Sequence, residues 1–337
     1  MTDYALPITE DSPLAVTAES QIQPQTAVYK ESWLDGLRRA AGPLLFMAPA
    51  TLLVITFFFI PVVIIIALSA TDMSSATGFE RWSWIGLENY NRIANNPQAR
   101  AISWNTVKYV VLTLSFFNVG MALVVALLST HIPRRAGFFF RALWLLPRIT
   151  PSVVYVMMWK YIAADAPYGI LNRHLLPWLG ISPTNWIPAQ PWLFVVITNG
   201  LIGASFGMII FTSAIEAIPR DYMIAALVDG CSLWQRVRYV ILPMLRWPLL
   251  FVTTYQTLSL LTSFEIILLL TDGQFGTEVW ALWAYHRALQ NYIGNFQWGF
   301  GAALATLLVI IGIVMAVIYM RYFRFNDLVQ EPKIEAL

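Results

Sequence analysis

Charged residues and cysteine are scarce in this chain. Only 12% of its 337 residues are charged, about half the share typical of soluble proteins, whereas 58% are hydrophobic. A deficit of that size indicates that most of the chain lies in a membrane. The single cysteine, Cys231, excludes an internal disulfide and a multi-cysteine metal site. The formal net charge of +2 gives no indication of a nucleic-acid partner.

Histidines and an N-terminal targeting signal are also lacking. His131, His174 and His286 are too far apart to form a metal-ligand motif, so we predict no metal site, no catalytic residues and no cofactor held by this chain. Residues 1–29 contain no lysine or arginine, which argues against a secretory signal. We expect roughly the first 30 residues to form a disordered cytoplasmic tail.

Long apolar runs are abundant. A helix needs roughly 20 apolar residues to cross about 30 Å of hydrocarbon, and six segments meet that length. The predicted spans are Leu44–Ala70, Thr106–Thr130, Phe138–Tyr161, Trp192–Ile215, Leu249–Leu270 and Trp298–Met320. The sequence therefore predicts an all-α, polytopic membrane protein with six transmembrane helices.

The distribution of the 21 lysines and arginines sets the expected orientation. Most of them lie near the two ends of the chain, in the short connection 131–137 and in the longer connection 216–248. Because positive residues favour the cytoplasmic side, both termini are predicted to be cytoplasmic. The predicted organisation is a tail over 1–40, a transmembrane domain over 41–320 and a tail over 321–337.

The connection Ile218–Pro248 has strong local signals for a helix. Pro219 suits the first turn, Asp221 favours the same turn through the helix dipole, and residues 222–228 continue as helix. Asp229-Gly230 predicts a sharp corner, since glycine adopts the left-handed conformation that a helix end needs.

A second helix is predicted after this corner. Ser232 and Gln235 form the S-x-x-Q pattern of a capping box, Pro243 is expected to end the helix, and Pro248 to open the fifth span. The alternative interpretation is an amphipathic loop lying on the lipid surface. Against it, Ala225-Ala226 offers a small-residue surface, and a lipid anchor needs no corner.

This connection resembles the coupling loop of ABC-importer permeases of the maltose type. Their pattern, E-A-A-x-x-D-G-A followed by I-x-L-P, is matched at Ala225, Ala226, Asp229, Gly230 and Val240-Ile241-Leu242-Pro243, after Ile218-Pro219. Ile224 stands where the family has Glu, and Cys231 where it has the last Ala. The Ile224 departure removes a carboxylate, whereas docking of the helix depends on its shape.

Flanking motifs extend the resemblance to the carbohydrate subclass over most of the chain after residue 40. The matching stretches are Trp84–Tyr90, Asn105-Thr106, Phe140-Arg141, Leu146-Pro147, Trp159-Lys160, Gly169–Asn172, Trp186, and, more loosely, Phe264-Glu265, Leu270–Gly273 and Gly276-Thr277.

The resemblance implies a non-enzymatic permease subunit of a binding-protein-dependent sugar importer in a bacterial or archaeal inner membrane. The chain has no G-x-x-x-x-G-K-[ST] phosphate loop, so two separate ATPase subunits would bind ATP and Mg²⁺. A second homologous permease and a periplasmic solute-binding protein are the other implied partners. The residues expected to contact the ATPase or shape that contact are Pro219, Tyr222, Met223, Ala225, Ala226, Asp229, Gly230 and Pro243.

Polar residues inside the later spans are candidates for the substrate pathway, because intramembrane polar and ionisable groups are usually functional. They are Asn199, Gln256, Ser259, Ser263 and Glu265. Arg148 could point into the pathway or extend outward to the interface, and we favour the second. Asp165, His174 and Asp272 are expected to be solvated on separate loops.

Two other classes of protein remain open at this stage. A membrane-embedded transferase would need acids or histidines converging at one membrane face, and a stand-alone secondary transporter usually has repeats or broken, charged central helices. The sequence shows neither pattern. The sugar or glycoside itself is not specified by the sequence.

Overall fold

The computed structural model describes residues 45–165, 167–180, 182–290 and 294–322. These residues form helices and loops and contain no β-strand. In chain order the helices are α1 Leu45–Ser69, α2 Glu88–Ala94, α3 Ala99–His131, α4 Arg134–Ile149, α5 Ser152–Ile162, α6 171–179, α7 Trp186–Ala189, α8 Pro191–Glu216, α9 Arg220–Val228, α10 233–244, α11 Arg246–Thr262, α12 Glu265–Leu270, α13 Trp280–Ala288 and α14 Trp298–Tyr322.

The chain divides into two units, residues 1–61 and 62–337. Of the first unit, residues 45–61 are described, and all of them are helical and exposed. The predicted tail 1–40, and the tail 321–337 apart from its first two residues, lie outside the described residues.

Four of the described helices, α1, α3, α8 and α14, are each long and apolar enough to cross a membrane. The pair α4 and α5 would make a fifth crossing, bent by 98° at residues 150–151. The all-α membrane architecture is confirmed. The predicted third span is not one straight helix, however, because Pro147 and Pro151 lack the N–H groups that would continue the hydrogen-bond ladder.

The predicted fifth span is also divided. Helix α11 ends at Thr262, and α12 begins at Glu265 after the extended residue Ser263. No proline or glycine lies at this break, so its cause is tertiary. The predicted second span extends seven residues further toward the N-terminus than expected, since α3 begins at Ala99.

Helix α8 is the most buried of the long helices, and α3, α4 and α11 pack around it. Its glycines allow this close approach. A Cβ added to Gly203 would overlap the side-chain amide of Asn118 on α3, and one added to Gly207 would lie 2.7 Å from the Cβ of Ala122. Residues Thr113–Met121 of α3 form a wide π-helical turn at this contact. Packing of small residues is how helices associate tightly within lipid.

Candidate functional site

The connection between α8 and α11 folds into two helices joined by a corner. Helix α9 ends at Val228, and Gly230 takes the left-handed conformation with φ of 72°. The Gly230 N–H donates to the Leu227 carbonyl at 3.1 Å, and the Cys231 N–H to the Ala226 carbonyl at 2.9 Å. These two bonds make the Schellman motif, so the predicted corner is confirmed.

The predicted capping box is also present. The Ser232 N–H donates to Gln235 Oε1 at 2.7 Å, and the Gln235 N–H donates to Ser232 Oγ at 3.4 Å. Pro219 lies one position before α9 rather than inside its first turn. After the wide turn Val237–Ile241 the helix ends at Met244, one residue beyond Pro243, close to the predicted end.

An apolar cluster under α9 holds this element on the rest of the chain. Val237, Ile241 and Leu245 are its buried centre, and Met223 packs against it. Ala226 is also buried, whereas Tyr222, Ala225, Asp229 and Gly230 are exposed. Of the predicted ATPase-contacting residues, Met223 and Ala226 therefore face inward.

The outward side of α9 is unusually apolar for a surface. Tyr222, Ile224, Leu227 and Val228 are all more than half exposed, with Val228 at 82%. We call these four residues the docking face. Exposed apolar patches of this kind mark sites of protein or membrane contact.

An ion pair ties the start of this element to α4. Arg141 donates to Glu216 Oε1 at 2.6 Å, across the contact between α4 and the last residue of α8. Because the Glu216 side chain is 57% exposed, the pair is a surface interaction that contributes little to stability.

The two breaks in the spans meet each other. Ser152, the first residue of α5, donates a hydrogen bond to Glu265, the first residue of α12. Apart from this contact Glu265 is exposed. Ser259, six residues earlier, is exposed as well, and Ser263 between them is half-buried. Three of the predicted pathway residues therefore lie on or beside the break in the fifth span.

The other two predicted pathway residues join helices together. The Asn199 amide donates to the buried hydroxyl of Tyr109. Gln256 is buried and donates to the Gly203 carbonyl at 2.8 Å. These bonds link α8 to α3 and α11, which explains both amides by packing.

Three aromatic rings and a cation form a cluster that the sequence did not reveal. The guanidinium of Arg148 lies over the Phe206 ring, 5.2 Å from its centroid, and the side chain is exposed. Phe206 stacks on Tyr255 at 4.8 Å, and Tyr255 on Phe251 at 6.2 Å. Residues from α4, α8 and α11 meet here, so no local pattern could indicate it.

On the connection between α12 and α14, Asp272 is not simply solvated as expected. It lies 3.1 Å from His286 Nε2, and Glu278 lies 3.2 Å from His286 Nδ1. The hydrogen bond to Glu278 raises the pKa of His286 above its usual 6.5, and the hydrogen bond to Asp272 adds to this effect, although partial burial opposes it. No group of residues suited to hold a metal ion is found within the described ranges.

The described chain combines several apolar helices, two broken helix pairs that meet each other, and a compact helical element between α8 and α11. Residues 118–326 match the family of binding-protein-dependent transport system inner membrane components, and the chain belongs to that family. It is thus a multi-pass inner membrane protein and a non-catalytic transport subunit. Because the chain belongs to this family, we set aside the two alternatives considered from the sequence, a membrane-embedded transferase and a stand-alone secondary transporter.

Named relatives agree with this assignment. The sulfoquinovosyl glycerol transport system permease protein of Agrobacterium fabrum is 28% identical over 301 residues, covering 88% of this chain and 94% of that protein. The trehalose/maltose transport system permease protein of Thermococcus litoralis is 28% identical, covering 72% and 81%. A bacterial alginate ABC transporter, solved with its alginate pentasaccharide-bound periplasmic protein, shares the fold at a TM-score of 0.73 and 18% identity, covering 88% and 98%.

Proposed function

We propose that this chain is one of two homologous transmembrane subunits of an ATP-driven carbohydrate importer. The relatives named above are permeases for sulfoquinovosyl glycerol and for trehalose and maltose, and each is similar over more than two thirds of this chain. Those names support a carbohydrate or a glycoside as the substrate class. A solute-binding protein would deliver it to the outer loops, in keeping with the description of the family.

The observation that carries the coupling role is the docking face on α9. It belongs to a connection rather than to a span, and it is held rigidly by the Schellman corner, the capping box and the cluster around Ile241. A rigid apolar knob of this shape suits the groove of a separate ATPase, which would bind ATP and Mg²⁺. Closure of an ATPase pair would then move α8 and α11 as rigid bodies.

The predicted contact set changes accordingly. Tyr222, Ala225, Asp229 and Gly230 remain in the proposed contact, and Ile224, Leu227 and Val228 join it. Met223 and Ala226 instead support α9 from below, and Pro219 and Pro243 shape its ends. Ile224 adds apolar area where related loops have a carboxylate.

The proposed topology places the docking face, both tails and both termini in the cytoplasm. It follows the clustering of lysine and arginine at the ends of the chain and beside 131–137 and 216–248. The transmembrane domain is proposed to span residues 41–320, with tails 1–40 and 321–337.

For the substrate pathway we propose Ser259, Ser263 and Glu265. Ser259 and Glu265 are exposed beside the break between α11 and α12, where freed polar groups can meet a solute. Asn199 and Gln256 are assigned to helix packing, because their amides bind Tyr109 and the Gly203 carbonyl.

The test is Val228→Asp in the complete importer, assembled from this chain with its second permease, ATPase and binding protein. Docking of the ATPase would bury the new charge on this exposed face. The variant should therefore fail to co-purify with the ATPase and should abolish uptake, while the chain stays in the membrane. Ile132→Asp places the same charge on an exposed apolar residue of the short connection between α3 and α4, and serves as the matched control. Normal uptake by the Val228 variant would refute the coupling role.

A further inference from the structure

Arg148, Phe206, Tyr255 and Phe251 form one surface on the described chain, which we call the cation–aromatic surface. The guanidinium lies over Phe206, and the three rings stack in series from α8 onto α11. Arg148, Tyr255 and Phe251 are exposed. The surface therefore faces away from the packed interior of the chain.

This surface lies near the middle of the membrane. Phe206 is ten residues from the end of α8 at Glu216, and Tyr255 is nine residues from the start of α11 at Arg246. At 1.5 Å per residue both rings are about 14–15 Å from these helix ends. Taking these helix ends as the cytoplasmic edge of a hydrocarbon layer about 30 Å thick puts the guanidinium near its midplane.

A guanidinium at that depth does not face lipid at equilibrium, because lipid offers it neither counter-charge nor hydrogen bonds. Across the described ranges Arg148 forms no ion pair, and Glu265 at the break in the fifth span is bonded to Ser152. The exposed side of Arg148 must therefore meet water, a solute or a polar group of a neighbouring subunit.

The same face continues toward the proposed pathway. Phe251, Tyr255 and Ser259 are exposed at a spacing of four residues, which places them on one side of α11. Beyond Ser259 the face reaches the break at Ser263 and the Glu265 carboxylate. Aromatic rings, hydroxyls and a carboxylate are suited to a sugar ring, whereas a lone guanidinium is suited to an anion.

We infer that the cation–aromatic surface recognises an anionic carbohydrate, with Arg148 pairing with its carboxylate, sulfonate or phosphate group. The sugar ring stacks on Tyr255 or Phe251. A neutral sugar offers the guanidinium no counter-charge, so the charge of Arg148 favours an acidic substrate. This inference rests on the proposed carbohydrate-import function.

The test measures uptake by the complete importer in proteoliposomes with three probes: methyl glucoside, methyl glucuronide and the 6-sulfonate of methyl glucoside. Wild type should take up at least one anionic probe in preference to the neutral one. Arg148→Gln should raise the half-saturating concentration of that probe roughly ten- to a hundredfold, the range lost with one charged hydrogen bond. Arg148→Lys should retain part of the preference.

Two variants separate recognition from structure. Arg141→Gln removes a cation from the same helix at its paired, surface site, and should leave the ratio of anionic to neutral uptake unchanged. Tyr255→Leu removes a stacking ring but keeps the charge, and should raise the half-saturating concentration of charged and neutral probes alike.

Three outcomes would overturn the inference. Uptake of the neutral probe alone by wild type would exclude anion recognition while leaving carbohydrate import intact. Equal loss of both kinds of probe in Arg148→Gln, with less second permease co-purifying, would assign Arg148 to an ion pair between subunits. Failure of every probe, with the ATPase still bound, would count against the inference and, for monosaccharide glycosides, against the carbohydrate function on which it rests.

Discussion

Replacement of Gly203 by alanine tests how tightly α3 and α8 pack. The new Cβ would overlap the Asn118 side chain, with Nδ2 only 2.6 Å away. Overpacking of a filled interior costs about 1–3 kcal/mol, whereas alanine favours a helix over glycine by about 1 kcal/mol. The expected net loss is thus up to about 2 kcal/mol, because the amide is buried but can shift partly.

Two further glycines calibrate this value. Gly207→Ala would overlap the backbone carbonyl of Asn118, which cannot move away, so its loss should be the larger. Gly312→Ala would meet Leu258 Cδ2 at 3.7 Å, an ordinary contact, and should be neutral or slightly stabilising. Thermal unfolding of the purified protein in detergent gives all three values.

A second substitution separates side-chain from backbone overlap. Asn118 Oδ1 has no hydrogen-bond partner in the described part of the chain, so Asn118→Ala alone should be mild. It should recover much of the loss in Gly203→Ala but little in Gly207→Ala. The packing argument fails if Gly203→Ala is as stable as Gly312→Ala, or if Asn118→Ala rescues both glycine variants equally.

Two more predictions concern the loops. The raised pKa of His286 stabilises the fold fully below about pH 6.5 and progressively less as pH rises through the pKa of the folded state. The unfolding temperature should therefore fall over that pH range in wild type and fall less in His286→Gln. Equal dependence of the two unfolding temperatures on pH would contradict the role of Glu278 and Asp272. Ser232→Ala should remove about 0.5–2 kcal/mol of local helix stability, which is measured as faster amide hydrogen exchange over residues 233–236. Exchange no faster than in an alanine variant at a non-capping position would count against the cap.

The sequence was most informative where structure is local. The corner at Gly230 and the cap at Ser232 depend on residues within a few positions, and both were predicted. The end of the second helix is also local, since the helix stops at Met244, one residue beyond Pro243. The bend before Ser152 had a signal in Pro147 and Pro151, which averaging of hydropathy over a long window conceals.

Other features depend on contacts between distant segments and had no sequence signal. The break at Ser263 contains no proline or glycine, and Glu265 beside it binds Ser152, 113 positions earlier. The stacking of Arg148 on Phe206 requires α4 and α8 to pack at one particular register. Gly203 and Gly207 could have been identified from their spacing, since small residues four apart indicate a close helix contact.

The charge on α4 has a consequence for synthesis. Helix α1 carries no charged residue from Leu45 to Ser69 and can enter the bilayer on its own. An arginine such as Arg148 costs about 2.5–3.5 kcal/mol to insert at a helix centre, which offsets roughly six aliphatic side chains. Phe206, over which Arg148 lies, is on α8, as is Ser205, whose hydroxyl donates to the Trp144 carbonyl of α4 at 2.5 Å. Both leave the ribosome later than α4. Helix α4 should therefore remain with the insertion machinery until α8 arrives, so that the two enter the lipid as a pair.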